Sequence, residues 1–524
     1  MEKKIKIKDA YLYLPICGTL DGAEKNNQRL EIFCREGLCE RKLFEFQIPA
    51  KVGAEEYAPV CYNARFPVKQ FTDKTLILRG ELPKAFFDLV TNDGGLKGET
   101  FGRPSIHFTA ETGWINDPNG LVYQNGIYHL YFQYNAFDIQ WENMSWGHAI
   151  SRDLLHWEQL DSVLFPDQNG TMFSGSGIVN EKEMLGLPQD ALLFFYTAAG
   201  SSNRWSAKKQ FTQRIAYSLD QGETLTKTDV GALDAVCSEN RDPKVFWHEE
   251  SQAYIMVLWL EKNDFGIFRS INLENWDMTD RLTLDQAWEC PDLICLSDSD
   301  GCDRWVFLSA DGYYFIGMFD GYHFCTDGVR NEPYIGKVPY AAQTYSGTKG
   351  RTVSVSWLRL SNRGRVYTGA MGLPRELNII RHGAREALTF LPVREYEAAK
   401  KEITMEECDN PAQKIQTHFF YQEKTEGTAV ELQVVCREDE PVVTWEINKT
   451  ALAYYPGTGI FVVGEQRFQT AKDIQDFSFI VDDVILEVTA EYGTIIGVFE
   501  LADSKTEICT QRTYFKEIHL YKTV

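Results

Sequence analysis

Ser151-Arg152-Asp153-Leu154-Leu155-His156-Trp157 and Ser270-Ile271-Asn272-Leu273-Glu274-Asn275-Trp276 repeat one pattern, a strand that ends in a turn before a tryptophan. Around them lie short β-rich runs: IYHLYFQY at 127–134, ALLFFYTA at 191–198, YIMVLWL at 254–260 and RWVFLSA at 304–310. Turn signals punctuate the runs at Gln124-Asn125-Gly126, Asp167-Gln168-Asn169-Gly170 and Asp220-Gln221-Gly222. Amphipathic helical stretches are few, so the chain is expected to be all-β. Strand groups recur over about 40 to 50 residues from roughly 105 to 375, a period that suits propeller blades better than a single sandwich.

Alternation continues on both sides of this region. KIKIKDAYLYLP, RLEIFC and TLILRGEL predict a small N-terminal β-rich domain over residues 1–100, in which nothing catalytic stands out. AVELQVVC (429–436), GIFVVG (459–464), FSFIVDDVILEV (477–488) and GTIIGVFEL (493–501) predict a C-terminal β-sandwich over 405–524. Between them, a catalytic propeller is expected over 101–385 and a linker over 386–404. The strongest helical pattern of the chain falls at Leu391 to Lys401.

Composition narrows the function. A chain of 524 residues with 44% hydrophobic and 24% charged residues is a folded protein with room for several cores. Its longest apolar stretch, Ala191 to Ala199, is half of what a spanning helix needs, so no membrane partner is expected. A formal net charge of -22 repels phosphate backbones, which argues against nucleic acid as a partner. Self-association into a homo-oligomer stays open. The start, MEKKIKIKDAYLYLPI, has no long apolar core and no small-residue cleavage site, and a cytoplasmic location is expected from it. Twelve scattered cysteines suit reduced thiols, and Cys34 with Cys39 lacks the second pair that a zinc site requires, so no metal is expected.

Three segments carry carboxylates in unusual company. In Trp114-Ile115-Asn116-Asp117-Pro118-Asn119-Gly120, Asn-Asp-Pro-Asn-Gly reads on its own as a turn, because Asp and Asn bond their own backbone, Pro fixes φ and Gly accepts positive φ. A Trp before the carboxylate, with Gln133 and Trp141 downstream, also reads as the stacking plane and amide of a sugar pocket. Arg241-Asp242-Pro243 places a second acid before an apolar strand, where it could equally be a surface ion pair. Trp288-Glu289-Cys290 sets a third between apolar neighbours, a setting in which desolvation keeps a carboxyl protonated, as a general acid requires.

Together these motifs resemble the family 32 glycoside hydrolases, the β-fructosidases that include invertases, levanases and exo-inulinases. Tyr128 to Asn135, Asn143 to Ala149, Phe173-Ser174-Gly175-Ser176, Tyr340-Ala341-Ala342-Gln343-Thr344 and Leu373-Pro374-Arg375-Glu376-Leu377 also resemble that family, over roughly 103–400. The resemblance implies a five-bladed β-propeller followed by a β-sandwich. It implies Asp117 as nucleophile, Glu289 as acid/base and Asp242 as transition-state stabiliser, held ionised by Arg241. It further implies that Trp114, Asn116, Gln133, Trp141, Phe173, Ser174 and Arg241 bind the substrate, and that no metal or organic cofactor takes part. The expected substrate is a terminal β-fructoside such as sucrose or a fructan, cleaved from the chain end with retention. Fructosyl transfer, a non-catalytic sugar-binding propeller and a related propeller glycosidase acting on pentose polymers are the alternatives. The stretch after Trp357, LRLSNRGRVYTGAM, lacks a tryptophan that many members place there, and the N-terminal module departs from the simplest members.

Overall fold

The computed structural model describes residues 1–17, 25–37, 39–51, 60–94, 102–298, 300–382, 385–403, 418–423 and 427–523. The expected boundaries at 100/101 and 404/405 fall outside these residues, as does Cys408. Cys34, Cys39, Cys237, Cys290, Cys295, Cys302, Cys325, Cys436 and Cys509 carry free thiols. Among the described residues nearly all regular secondary structure is strand, and no helix is long and apolar enough to cross a membrane.

Between Gly113 and Pro392 five antiparallel sheets follow one another along the chain, opening with the strands Gly113–Gln124, Thr171–Val179, Arg241–His248, Asp292–Ser297 and Pro339–Thr344. The quoted repeat is the joint between third and fourth strands. Ser151 Oγ accepts from the N–H groups of Asp153 and Leu154 at 3.1 and 2.8 Å, while Asp153 Oδ1 accepts from those of Leu155 and His156. Ser270 and Asn272 do the same one sheet pair later, and Leu154 and Leu273 share a φ near +65°. The side chains thus satisfy the backbone that the turn leaves open.

The opening strands converge on a common axis. Ser176 Oγ donates to Pro243 O at 2.8 Å, Gln343 Nε2 to Gly175 O at 3.1 Å, and Ser346 Oγ to Gly177 O at 2.7 Å. Lys244 is buried there against Asp292 at 3.0 Å, and both meet Thr344: the lysine donates to its carbonyl, and its hydroxyl and N–H donate to the aspartate. Gly177 marks how closely the strands approach, since a Cβ there would stand 2.9 Å from Gly120 O. The ring closes where Tyr367–Thr368 pairs in parallel with Gly113 and Trp114 on the edge of the first sheet.

Two β modules flank the ring. A seven-stranded and a six-stranded sheet pack face to face around Trp445, Phe477, Phe479, Val430 and Leu432, and Tyr334–Ile335 extends the larger sheet in parallel with Ile495–Glu500. FSFIVDDVILEV is a hairpin rather than one strand: Asp483 takes φ +58° between Asp476–Asp482 and Ile485–Ala490. The expected helix at 391–401 shrinks to Arg394–Ala399, because residues up to Pro392 finish a strand and Lys400–Glu402 starts the next. At the N-terminus, Glu2–Lys6, Thr75–Gly80, Lys25–Glu36 and Cys39–Lys51 form one sheet, and Tyr11–Ile16 pairs with Tyr62–Pro67. The core of this module takes in Phe137, Ile139, Val366 and Tyr367 of the ring, so its apolar face is covered by the propeller.

A buried polar cluster crosses the seam between ring and sandwich. His107 Nδ1 lies 2.8 Å from Asp482 Oδ2 and its Nε2 lies 3.1 Å from Glu487 Oε1. Arg375 pairs with Glu487 and donates to Thr489 Oγ1 and Phe390 O, and the N–H groups of Ser105 and Ile106 donate to Asp482.

Candidate active site

Bulges aim the side chains of the site. Register breaks between Ile115 and Pro118, Met172 and Gly175, Arg241 and Lys244, and Tyr340 and Gln343, always at the same end of an opening strand. An extra residue in a strand turns its neighbour off the alternating pattern, and here that turns Asp117, Phe173, Ser174, Asp242 and Tyr340 toward the axis. Residues 114–120 are therefore a bulged strand and not a free turn, with Pro118 opposite Phe132. Asp242, Glu289 and Cys290 hold φ values of +65°, +48° and +38°, a backbone strain that a site maintains only when its surroundings impose it.

A cavity of about 430 Å³ opens at this end, lined by Asn116, Asp117, Gln133, Trp141, Phe173, Ser174, Arg241, Asp242 and Glu289 among others. All the residues named from sequence meet there except Trp114. Its indole N–H donates to Asn116 Oδ1 at 2.9 Å and its ring packs edge-on to Trp357, so it stands behind the wall and steadies Asn116. Sequence reasoning missed Tyr340, Trp357, Phe211, Met144 and Glu239, which complete the lining. Tyr340 and Met144 lie within quoted motifs and Glu239 stands two residues before Arg241, whereas Trp357 and Phe211 carry no local signal, since distant segments bring them in.

Ser174 Oγ donates to Asp117 Oδ2 at 2.6 Å. Burial pushes the Asp117 carboxyl above the usual aspartate range, and this hydrogen bond opposes the rise. Burial pushes Asp242 up to about 7, with Arg241 opposing and the charges of Glu289 and Asp117 adding to the rise. The Cys290 N–H donates to Asp242 Oδ2 at 3.1 Å, and its thiol stands 3.5 Å from Asp242 and 3.8 Å from Asp117. Burial, followed by the three carboxylates, keeps that thiol protonated and able to donate.

Two expectations about Arg241 and Glu289 change. Arg241 pairs directly with Glu289, whereas its Nε is 4.0 Å from Asp242, because the guanidinium is stacked 4.0 Å over the Trp259 ring and aimed across the cavity. Glu289 is not in an apolar setting: Trp288 turns outward against Trp259, and Glu289 meets Arg241 and the Tyr340 hydroxyl, which donates at 2.7 Å. Asp292, the other acid of this motif, belongs to the axial pair with Lys244. Among the described residues, no three His, Cys, Asp or Glu side chains are grouped as a metal ion would require.

The family model for the glycosyl hydrolases family 32 N-terminal domain matches residues 107–392. A levanase of Bacillus subtilis is 34% identical over 333 residues, 57% of this chain and 48% of the relative. The chain spans about half the length of the curated relatives it matches. Among solved structures, a fructofuranosidase of Schwanniomyces occidentalis complexed with fructose superposes with a TM-score of 0.66 at 25% identity, covering 81% of this chain and 98% of the other. A family 32 glycoside hydrolase of Bifidobacterium adolescentis, 18% identical, shares the fold over 100% of this chain and 99% of its own, with a TM-score of 0.66.

Proposed function

The chain belongs to family 32 of the glycosyl hydrolases, and from that premise we propose that it is a retaining, exo-acting β-fructosidase that removes terminal fructose from sucrose and fructo-oligosaccharides. One observation carries the reading: Asp117, Asp242 and Glu289, from three different opening strands or their leading loops, share one small cavity with Glu239, a single arginine and an aromatic rim. Two acids on one site, with separate hydrogen-bond partners, supply the pair of carboxyls that glycosidic cleavage requires, and the proposed double displacement further needs them about 5 to 5.5 Å apart.

In the proposed cycle Asp117 attacks the anomeric carbon while Glu289 gives its proton to the departing glycosidic oxygen, and a fructosyl ester forms on Asp117. Ser174 holds the attacking carboxylate in place. Glu289, now ionised and retained by Arg241 and Tyr340, takes a proton from the incoming water, which attacks the same carbon and frees Asp117. Tyr340 serves both halves, because its hydroxyl can donate to the ionised Glu289 and accept from the protonated form. Asp242 bonds ring hydroxyls more strongly as positive charge develops on the sugar.

Exo action is supported by the size of the cavity and by its rim, where Trp141 and Phe173 meet edge to face at 6.1 Å over the acids. The test follows products of sucrose and of inulin and levan oligomers at the earliest times, with NMR of the first fructose anomer. β-Fructofuranose, released one unit at a time, is the expected result. The α anomer would refute retention, early di- and trisaccharides would refute exo action, and transfer to sugar in place of water would make the enzyme a fructosyltransferase.

A further inference from the structure

Residues of the N-terminal module reach the rim of the cavity, and they do so at two loops that carry its outer wall. The first loop runs from 136 to 144 and presents Trp141 and Met144 to the cavity. It is held on both sides of Trp141. Lys25 pairs with the buried Asp138 and donates to Gln140 Oε1 at 2.8 Å, and Asn27 donates to Glu142 at 3.4 Å. Asn143, buried and at φ +51°, faces the backbone of Gln47: its Oδ1 accepts from the Gln47 N–H at 2.7 Å and its Nδ2 donates to the Gln47 carbonyl at 2.9 Å. The same amide also donates to Asn135 Oδ1, tying the contact to the strand that supplies Gln133.

The second loop leads into Phe211, which packs edge-on to Phe173 at 5.6 Å and lines the cavity. Here Glu45 Oε1 accepts from the Arg204 N–H at 3.1 Å, and Lys42 sits 4.8 Å over the Trp205 ring while pairing with Glu45. All of these groups come from one antiparallel strand pair, Lys25–Glu36 with Cys39–Lys51, which pairs from Lys25 opposite Lys51 to Glu36 opposite Cys39 with one register shift between Ile32 and Phe33. Trp141 is 51% exposed, in contrast to the buried Asp242 below it. Its free face is therefore open to the part of a substrate beyond the terminal sugar, and stacking on such a face has value only if the ring is held still.

We propose that this N-terminal strand pair is a positioning element of the active site: Lys25, Asn27 and Glu45 fix the Trp141 and Phe211 walls and thereby set the preference for longer fructosides over short ones. This rests on the β-fructosidase reading above. The strand pair touches no reacting group, so its loss should weaken binding of the outer sugars and leave the chemical step alone. Removing Lys25 strands the Asp138 carboxylate in a buried site and frees the loop that it anchors.

The test compares Lys25→Ala, Lys25→Arg and Glu45→Ala in the whole protein, with 4-nitrophenyl β-fructofuranoside as the short substrate and an inulin-type tetrasaccharide as the long one. For Lys25→Ala and Glu45→Ala, KM for the tetrasaccharide should rise about fivefold with kcat within about twofold of wild type, while both constants for the aryl fructoside hold. Lys25→Arg, which keeps the charge, should recover most of the loss. An unchanged ratio of long to short KM in both alanine variants overturns the proposal. Equal losses of kcat on both substrates, with a fall in Tm, also overturn it, because that pattern marks a scaffold only. Should one alanine variant fail to fold, the other reads the same ratio from the opposite loop. Wild-type protein inactive on every fructoside would refute the functional reading itself, an outcome distinct from either.

Discussion

Two clusters of carboxylates, one around Asp117, Asp242 and Glu289 in the cavity and one around the buried Asp482 and Glu487, differ in how their charge is matched. At the seam between ring and sandwich, two acids meet two bases. Burial alone would raise Glu487, but Arg375 and His107 pull it down to about 2, and Asp482 is drawn below its usual range by His107 and the Ser105 and Ile106 N–H groups. Burial likewise opposes the charged form of His107, and the hydrogen bonds to Asp482 and Glu487 still carry it up to about 9. In the cavity four acids, with Glu239 at the rim, line one pocket with a single arginine, and burial wins at Asp117 and Asp242. The balanced cluster stabilises the fold, whereas the unbalanced one stores a cost that chemistry can use.

The comparison breaks most sharply at Asp117. Asp117→Asn should leave the fold and Tm intact yet lower kcat on sucrose by at least about a thousandfold, because an amide cannot form the ester. Turnover near wild type would remove Asp117 from the mechanism. At the seam the pattern reverses. His107→Ala should cost about 3 kcal/mol by leaving two buried acids short of a partner, seen as a lower Tm, with kcat of the folded protein held. A larger loss of kcat than of stability would contradict the division between the two clusters.

That division also has a pH signature. The folded His107 binds its proton more tightly than the unfolded one, so its contribution is full below its ordinary value of 6.5 and is lost as pH rises through about 9. Glu487 is depressed, so its contribution is present above its ordinary value of 4.5 and is lost as pH falls through about 2. Thermal melts from pH 3 to pH 10 should therefore show a plateau near pH 5 to 6, and the alkaline decline should flatten in His107→Ala.

A third change separates the two carboxyls of the proposed cycle. Glu289→Ala should slow sucrose about a hundredfold and spare aryl fructosides with good leaving groups, which do not need the proton. Equal slowing of both substrates would deny Glu289 the role of acid. The smallest expected effect is the most unusual. Asp242 is raised in the folded state, so its ionisation costs stability progressively as pH rises from its ordinary 3.8 toward about 7. Asp242→Asn should accordingly be inactive but more stable at pH 8, by on the order of 1 kcal/mol, with the gain vanishing near pH 4. A lower Tm at pH 8 would show that Asp242 is structurally needed.

How much of this the sequence disclosed depended on whether the signal was local. Strand runs such as 127–134 and 254–260 were legible because buried strands are apolar along their whole length, and both appear as Ile127–Asn135 and Ala253–Glu261. The residues of 114–120 suggested a turn because Asn, Asp, Pro and Gly serve bulges for the same reason that they serve turns, and only the pairing with 127–135 distinguishes them. The positions of Asp117, Asp242 and Glu289 were legible through their motifs. Glu289's surroundings were not: Trp288 and Cys290 are its neighbours in sequence, but a strained backbone turns the carboxylate toward Arg241 and Tyr340. His107 and Asp482 are 375 residues apart, and nothing in either local sequence announces the other.

The pairing of Tyr367–Thr368 with Gly113 and Trp114 has a consequence during synthesis. The strand that carries Asp117 leaves the ribosome about 250 residues before the segment that covers its edge, an interval of roughly 13 to 50 seconds at ordinary elongation rates. Throughout that time the Gly113 end of the innermost strand lacks its partner, leaving the kind of edge to which another strand can add. The period in which this protein is most exposed to mispairing is thus set by where its ring closes, and no gain in the stability of the finished fold would shorten it.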